Sequence, residues 1–301
     1  MTSPDFPPAL PYDAWEPTKA TLHLASQIIG KVKLMNHPKQ AHWWHATLRV
    51  TPRGISTGPI FARRGSFELE LDVHDLRLEL RDSEGAREGF DLAGASIAEV
   101  YRRTMSALDK KGHETKILAR PYDCPHSEIP FAEDEEHGEW DHDAILRWWQ
   151  SMNFTEEAFQ TFAGRSFMRT SPVQLFWHSF DIAVTRFTGH RAPSVGEGGR
   201  RSDVEAYSHE VISFGYWPGD PEVRFPAFYS YTAPEPAGLA ERALRPEAAW
   251  WQELPSSHKA QLQSDDVRGS EDPRTTLLDF MQSAIDAAAH ALDLSGSEEL
   301  G

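Results

Sequence analysis

Residues 67–85 read Phe67-Glu68-Leu69-Glu70-Leu71-Asp72-Val73-His74-Asp75-Leu76-Arg77-Leu78-Glu79-Leu80-Arg81-Asp82-Ser83-Glu84-Gly85. Apolar Phe67, Leu69, Leu71 and Val73 alternate with acidic Glu68, Glu70 and Asp72, and Leu76, Leu78 and Leu80 then alternate with Arg77, Glu79 and Arg81. Strict alternation places one set on a covered face and the other in water, as in an antiparallel sheet with one buried side. The Asp82-Ser83-Glu84-Gly85 turn sends the chain back on itself, so the segment predicts a meander.

Working outward, both flanks predict helices. Pro17 stands near the start of a segment at 15–33 where its missing N–H costs nothing, and Leu22, Ala25, Ile28, Ile29 and Val32 recur at helical spacing. Downstream, Ser96-x-x-Glu99 is a capping box that opens a helix carrying Ile97, Val100, Tyr101, Met105 and Leu108. Between the first helix and the meander, His42 to Val50 reads as a strand.

The same order of signals recurs later. Gly30-Lys31, Trp44-His45, Val50-Thr51, Pro59 and Glu70-x-x-x-His74-Asp75 are matched by Gly164-Arg165, Trp177-His178, Val184-Thr185, Pro193 and Glu205-x-x-x-His209-Glu210. The offset stays near about 134 residues, which suggests two copies of one unit packed about a pseudo-two-fold axis. The expected class is α+β, two tandem helix–antiparallel-strands–helix repeats. The halves are 13–120 and 143–253, joined by an acidic connector at 121–142 and followed by a C-terminal loop and helix at 254–301. Within the second half, strands are expected near 173–187, 205–216 and 226–232. Most of 254–271, and 194–203, are expected to be loop, with a last helix starting at Asp272-Pro273.

Composition limits the function classes. The chain has 30 Lys+Arg against 46 Asp+Glu, a net charge of −16, which argues against a nucleic-acid partner because phosphate backbones need a positive footprint. The single cysteine, Cys124, excludes an intramolecular disulfide framework. The first residues lack the charged and apolar regions of a secretion signal, and no stretch approaches a membrane-spanning length, so a soluble cytoplasmic protein without a membrane partner is expected. Oligomeric state has no sequence signature here. Glycine-rich nucleotide loops and His-Glu-x-x-His are missing from the sequence.

Candidate chemistry gathers on histidines and their neighbours. In Tyr207-Ser208-His209-Glu210, Tyr207 and His209 would share a strand face, with Glu210 opposite unless a bulge intervenes. Histidine beside a carboxylate or phenol is equipment for acid–base work near neutral pH, and equally for a transition-metal site. Asp181 on the Trp177 face could orient a histidine or hold Arg186, and a structural ion pair is the plainer account. His42-Trp43-Trp44-His45 would place its two histidines on opposite strand faces, so one of them is expected to face a cleft; with His42 as that second imidazole, His42 and His209 would be the metal ligands of a metal-assisted branch. The acidic run Glu133-Asp134-Glu135-Glu136 reads as a solvated connector.

At these residues the chain resembles a bacterial family catalogued only as a domain of unknown function. The resemblance rests on Leu10-Pro11-Tyr12-Asp13-Ala14-Trp15-Glu16-Pro17-Thr18, His42-Trp43-Trp44, Phe180-Asp181-x-Ala183-Val184-Thr185-Arg186-Phe187, Tyr207-Ser208-His209-Glu210, Trp217-Pro218-Gly219 and Phe228-Tyr229-x-Tyr231. It implies no activity, fold or cofactor. Gln174 and His178 depart from the family pattern, which has histidine and glycine there, and this favours His42 and His209 over His178. The expected function is a small-molecule enzyme with a His-based acid/base or metal site in an aromatic cleft between the repeats. The alternative is a non-catalytic module that holds a hydrophobic ligand or cofactor.

Overall fold

The structure, a computed structural model, describes residues 7–62, 65–125, 128–193 and 200–289. In chain order the elements begin α1 (Glu16–Asn36), β1 (Arg49–Thr51), β2 (Gly54–Ser56), β3 (Ile60–Ala62), β4 (Gly65–Asp72), β5 (Arg77–Asp82), β6 (Arg87–Asp91) and α2 (Ile97–Lys110). They continue α3 (His142–Ala163), β7 (Arg169–Thr170), β8 (Gln174–Phe176), β9 (Asp181–Arg191), α4 (Arg201–Ala206), β10 (His209–Trp217), β11 (Ala227–Ala233), β12 (Trp250–Leu254), β13 (Ser257–Gln263), α5 (Ser264–Arg268) and α6 (Pro273–Ala289). Helices and antiparallel sheets make the class α+β. None of the described helices is long and apolar enough to cross a membrane.

The chain divides into two compact units. One holds Leu10–Asn153 together with Gln174–Phe180, and the other holds Phe154–Val173 and the described residues from Asp181 onward. In the first, the strand order is β1-β2-β4-β5-β6, with β3 also on β4. Leu69 pairs with Leu80 and Leu71 with Leu78, so the alternation of 67–81 becomes one apolar face. Glu70 and Arg81 on the other face form an ion pair of 2.7 Å. Ser96 caps α2 by accepting from the Glu99 N–H at 3.2 Å, as its capping box predicts.

Helix α1 is buried along both of its faces. Leu22, Ala25, Ile28, Ile29 and Val32 are covered, and so is a polar row at four-residue spacing, Lys19, His23, Gln27 and Lys31. That row holds the 174–180 segment and Tyr122 in place. The Lys19 ammonium lies over the Phe180 ring, His23 Nε2–H donates to the Trp177 carbonyl at 2.9 Å, and Gln27 bonds both the N–H and the carbonyl of Tyr122. Lys31 lies over the rings of Tyr122 and Trp177. Gly30 leaves room for the Trp177 indole, whose Nε1–H donates to the Ala46 carbonyl.

Several local expectations are corrected. The strand read at 42–50 is instead a 3-10 turn at Ala41–Ala46, with His42 and Trp43 at φ of 52° and 63°, and only Arg49–Thr51 is strand. The strand read at 173–187 is broken after Phe176 by a turn that places Phe180 at φ 59°. A bulky side chain in the left-handed region is costly unless its surroundings over-determine it. Phe180 is fully buried and stacked on Trp148 at 5.1 Å and on His23 at 4.9 Å. Residues 201–206 are helical where loop was expected to 203 and strand from 205, so β10 begins only at His209. Much of 254–271, read as loop, forms β13 and α5, and in the acidic connector Asp134 is fully buried and accepts from the backbone of Glu136 and His137. The loop reading at 194–199 lies outside the described residues.

Val50-Thr51 and Val184-Thr185 both lie in strands, but other residues matched between halves sit in unlike local structures. Gly30 is inside α1 while Gly164 follows the end of α3, Trp44 lies in a 3-10 turn and Trp177 in a reverse turn, and His74 follows β4 whereas His209 opens β10. These positions therefore do not carry a duplication.

Candidate functional site

The second unit is built on the strand order β12-β13-β11-β10-β9-β7, antiparallel at every step. Alternation sorts its residues by face. On one side Ile182, Val184, Ile212, Phe214, Phe228 and Leu262 are buried, with α6 against β10 and β11 and Phe162 of α3 edge-on to Phe214 at 5.0 Å. This is the core of the unit.

The opposite face is polar and aromatic. The pairing rows run Thr185–Ser213–Tyr231 and Ala183–Gly215–Tyr229–Gln261 across β9, β10, β11 and β13. Gly215 has no side chain, and the Tyr229 ring occupies that space. A Cβ built on Gly215 would lie 2.5 Å from Tyr229 Cε1 and closer still to Cζ and the hydroxyl. Lying across Gly215, the Tyr229 hydroxyl reaches β9 and donates to the Asp181 carboxylate. Asp181 is only 8% exposed.

Tyr231 stacks on Tyr229 with ring centres 6.2 Å apart, and its hydroxyl is 2.9 Å from that of Tyr207. Tyr231 also bonds Ser213, whose hydroxyl lies 2.9 Å from that of Thr185. The result is a carboxylate and three phenols held by one another across three strands. Burial pushes Tyr229 and Tyr231 well above the ordinary phenol value, with the Asp181 charge adding to the effect at Tyr229 and Tyr207 at Tyr231. Tyr207 is raised too, chiefly by burial. All three stay protonated through neutral pH and serve as hydrogen-bond donors.

A cation stands at the edge of this group. Lys259 of β13 carries its ammonium 5.7 Å from the Tyr229 ring centre and 5.9 Å from that of Trp217. Burial lowers its pKa, opposed by the charges of Asp181 and Asp220.

The sequence-derived candidates fall unevenly around this cluster. Asp181 and Tyr207 belong to it, although Tyr207 arrives from the end of α4 and not from the strand expected to carry it. Arg186 is five residues from Asp181 along β9 and so lies on the other face, its guanidinium over the Phe162 ring at 3.9 Å and donating to the Phe162 carbonyl. The expected hold of Asp181 on Arg186 is replaced by the Tyr229 hydroxyl. His209 pairs with Arg191 at the start of β10, with Ser208 Oγ 3.1 Å from its Nδ1, and the register shifts between His209 and Val211. Glu210 accepts from Thr188 Oγ1 at 2.9 Å and lies 3.6 Å from His190 Nδ1. His42 belongs to the first unit, its ring against Trp44 at 5.5 Å. Among the described residues no group of three or more His, Cys, Asp or Glu side chains is placed to hold a metal ion.

Tyr229, Tyr231, Lys259 and Gly215 complete the cluster without having been nominated together from the sequence. The available signal was Phe228-Tyr229-x-Tyr231 beside Gly215: two phenols on one strand face opposite a residue with no side chain.

Over residues 7–298 the chain matches the model of the Family of unknown function (DUF5996), and it belongs to that family. No curated protein and no solved structure matches it.

Proposed function

We propose that this member of DUF5996 binds a small molecule against the polar face of the second unit's sheet and acts on it by acid–base chemistry. The observation that carries the reading is the Tyr229 hydroxyl on Asp181 across Gly215, with the hydrogen-bonded pair Tyr231 and Tyr207 stacked against Tyr229 through the Tyr231 ring. Buried polar groups on a sheet cost stability unless paired or used, and here they are paired with each other and aligned on one side. In this reading Asp181, held by the Tyr229 hydroxyl, accepts a proton from the ligand, and of the Tyr207–Tyr231 pair the phenol that does not donate to the other donates to the oxygen on which negative charge develops. His209, at the start of β10, brings an imidazole to the same unit.

A second reading, a non-catalytic binding module, draws on the same bonds. Phenols already satisfied by one another form a rigid platform, and rigidity suits recognition as well as turnover.

The test is extraction of protein purified without an affinity tag, followed by mass spectrometry of released small molecules for wild type, Asp181→Asn and Tyr229→Phe. The proposal expects a molecule released from wild type and depleted in both variants while each keeps its fold by circular dichroism. Equal recovery from all three proteins would overturn it. A molecule that leaves unchanged after prolonged incubation favours the binding module.

A further inference from the structure

The ammonium of Lys259 has a setting that the tyrosine–aspartate cluster does not explain. Its strand position is fixed by pairing: Gln261 stands opposite Tyr229, and Lys259, two residues along β13, projects to the same face. Its directly paired neighbour on β12 is Gln252, and the Gln252 side-chain oxygen is taken by Gln261 Nε2–H. Among the described residues the Lys259 ammonium has no hydrogen-bond acceptor and no carboxylate at ion-pair distance; it lies over the faces of Trp217 and Tyr229, and the charges of Asp181 and Asp220 reach it only at longer range. A half-buried lysine flanked by aromatic rings keeps part of its desolvation penalty uncompensated. An incoming anion would remove that penalty, and a planar one would also stack on the rings beside it.

From this arrangement we infer that the face is a receptor for a small aromatic carboxylate, with Lys259 pairing the carboxylate and Trp217 and Tyr229 contacting the ring. The inference rests on the reading of this face as a binding site and names the class of ligand it takes. In a chain of net charge −16, a half-buried cation with no carboxylate in direct contact marks a place where a negative group can be taken up, since an anion would otherwise meet general repulsion. The phenols at the other end of the cluster would then meet a second polar substituent on the same ring, which sets the orientation.

Titration calorimetry of the full chain with benzoate, benzamide and acetate separates the contributions. Benzoate and benzamide share a ring and differ in charge, and acetate keeps the charge without the ring. The expected result is benzoate binding at least about 10-fold tighter than either benzamide or acetate. Lys259→Met, which keeps the aliphatic stem, brings benzoate down to the benzamide level, and Lys259→Arg retains the preference for the anion. Lys259→Gln serves as a second neutral variant should the methionine variant fold poorly.

Benzamide binding as tightly as benzoate, or benzoate binding unchanged in both neutral variants, overturns the inference. If both ring compounds bind equally and Tyr229→Phe abolishes both, the face remains the site and only the anion assignment fails. If no probe binds wild type, the carboxylate assignment is refuted, while the proposed site is judged separately by the molecule recovered from wild type against Asp181→Asn.

Discussion

Replacing Gly215 with alanine isolates the contact on which the site's geometry depends. Gly215 lies in the interior of β10, paired with Ala183 on one side and Tyr229 on the other, so alanine meets no backbone obstacle there. In a strand interior alanine gains about 0.5–1 kcal/mol over glycine by reducing the entropy lost on folding. The new methyl would overlap Tyr229 at Cε1, Cζ and the hydroxyl. The ring must swing aside, at an overpacking cost of about 1–3 kcal/mol, and its bond to the Asp181 carboxylate, worth about 1.5–3 kcal/mol, is lost. The expected net effect of Gly215→Ala is a destabilisation of about 1.5–5.5 kcal/mol, read from urea midpoints at constant m. In a Tyr229→Ala background the obstacle is gone, and the same substitution should be neutral or stabilising by up to about 1 kcal/mol. The double-mutant cycle should therefore return a coupling energy of about 2.5–6 kcal/mol, the overpacking and lost-bond terms together. Equal destabilisation by Gly215→Ala in the two backgrounds would refute the reasoning, because the cost would then not come from Tyr229.

Three further outcomes follow from the same structure. Gly30→Ala in α1 should destabilise by about 1–3 kcal/mol in urea despite alanine's better helix propensity, since its Cβ would press on the Trp177 indole; an increase in stability would contradict the packing described. Burial, then Arg49, depress Lys33 from 10.5 to about 8, so between these values the unfolded state binds more protons than the folded one. Stability should therefore rise with pH across that window, by up to about 1.4 kcal/mol per pH unit from this group, and Lys33→Met should flatten the rise in urea titrations at stepwise pH. An unchanged slope in Lys33→Met would count against that burial. Tyr207, Tyr229 and Tyr231 have raised pKa values, so their contribution is full below pH 10 and lost as pH climbs through the folded values. Absorbance titration at the phenolate band should show that Tyr207→Phe, Tyr229→Phe and Tyr231→Phe each remove a component that ionises above pH 10 in wild type, and loss of a component ionising at or below pH 10 would contradict their burial.

Where alternation was strict, the sequence was readable. Phe67 to Arg81 became β4 and β5 with the expected faces because each second side chain is apolar, and Ser96 capped α2 as its spacing indicates. Asp181 stands out in the sequence as a polar group in an apolar strand, whereas Tyr207, expected on a strand, lies at the end of α4. The break at Phe180 was hidden, since only the stack of Trp148 and His23 around the ring makes its backbone conformation tenable. Residues 257–263 were passed over as loop because Ser257-His258-Lys259-Ala260-Gln261-Leu262-Gln263 carries its polar residues on the face where the site lies, which blanks the apolar signal of a strand. The polar row of α1 was hidden for a related reason: lysine, histidine and glutamine at helical spacing read as a solvated face until the 174–180 segment covers them.

The most direct measurement of the central claim is untargeted mass spectrometry of a small-molecule extract incubated with wild type, Asp181→Asn or no protein. The account predicts at least one compound, carrying an aromatic carboxylate, whose amount changes with wild type and stays at the no-protein level with Asp181→Asn. Wild-type and Asp181→Asn profiles that change in the same compounds to the same extent would contradict it.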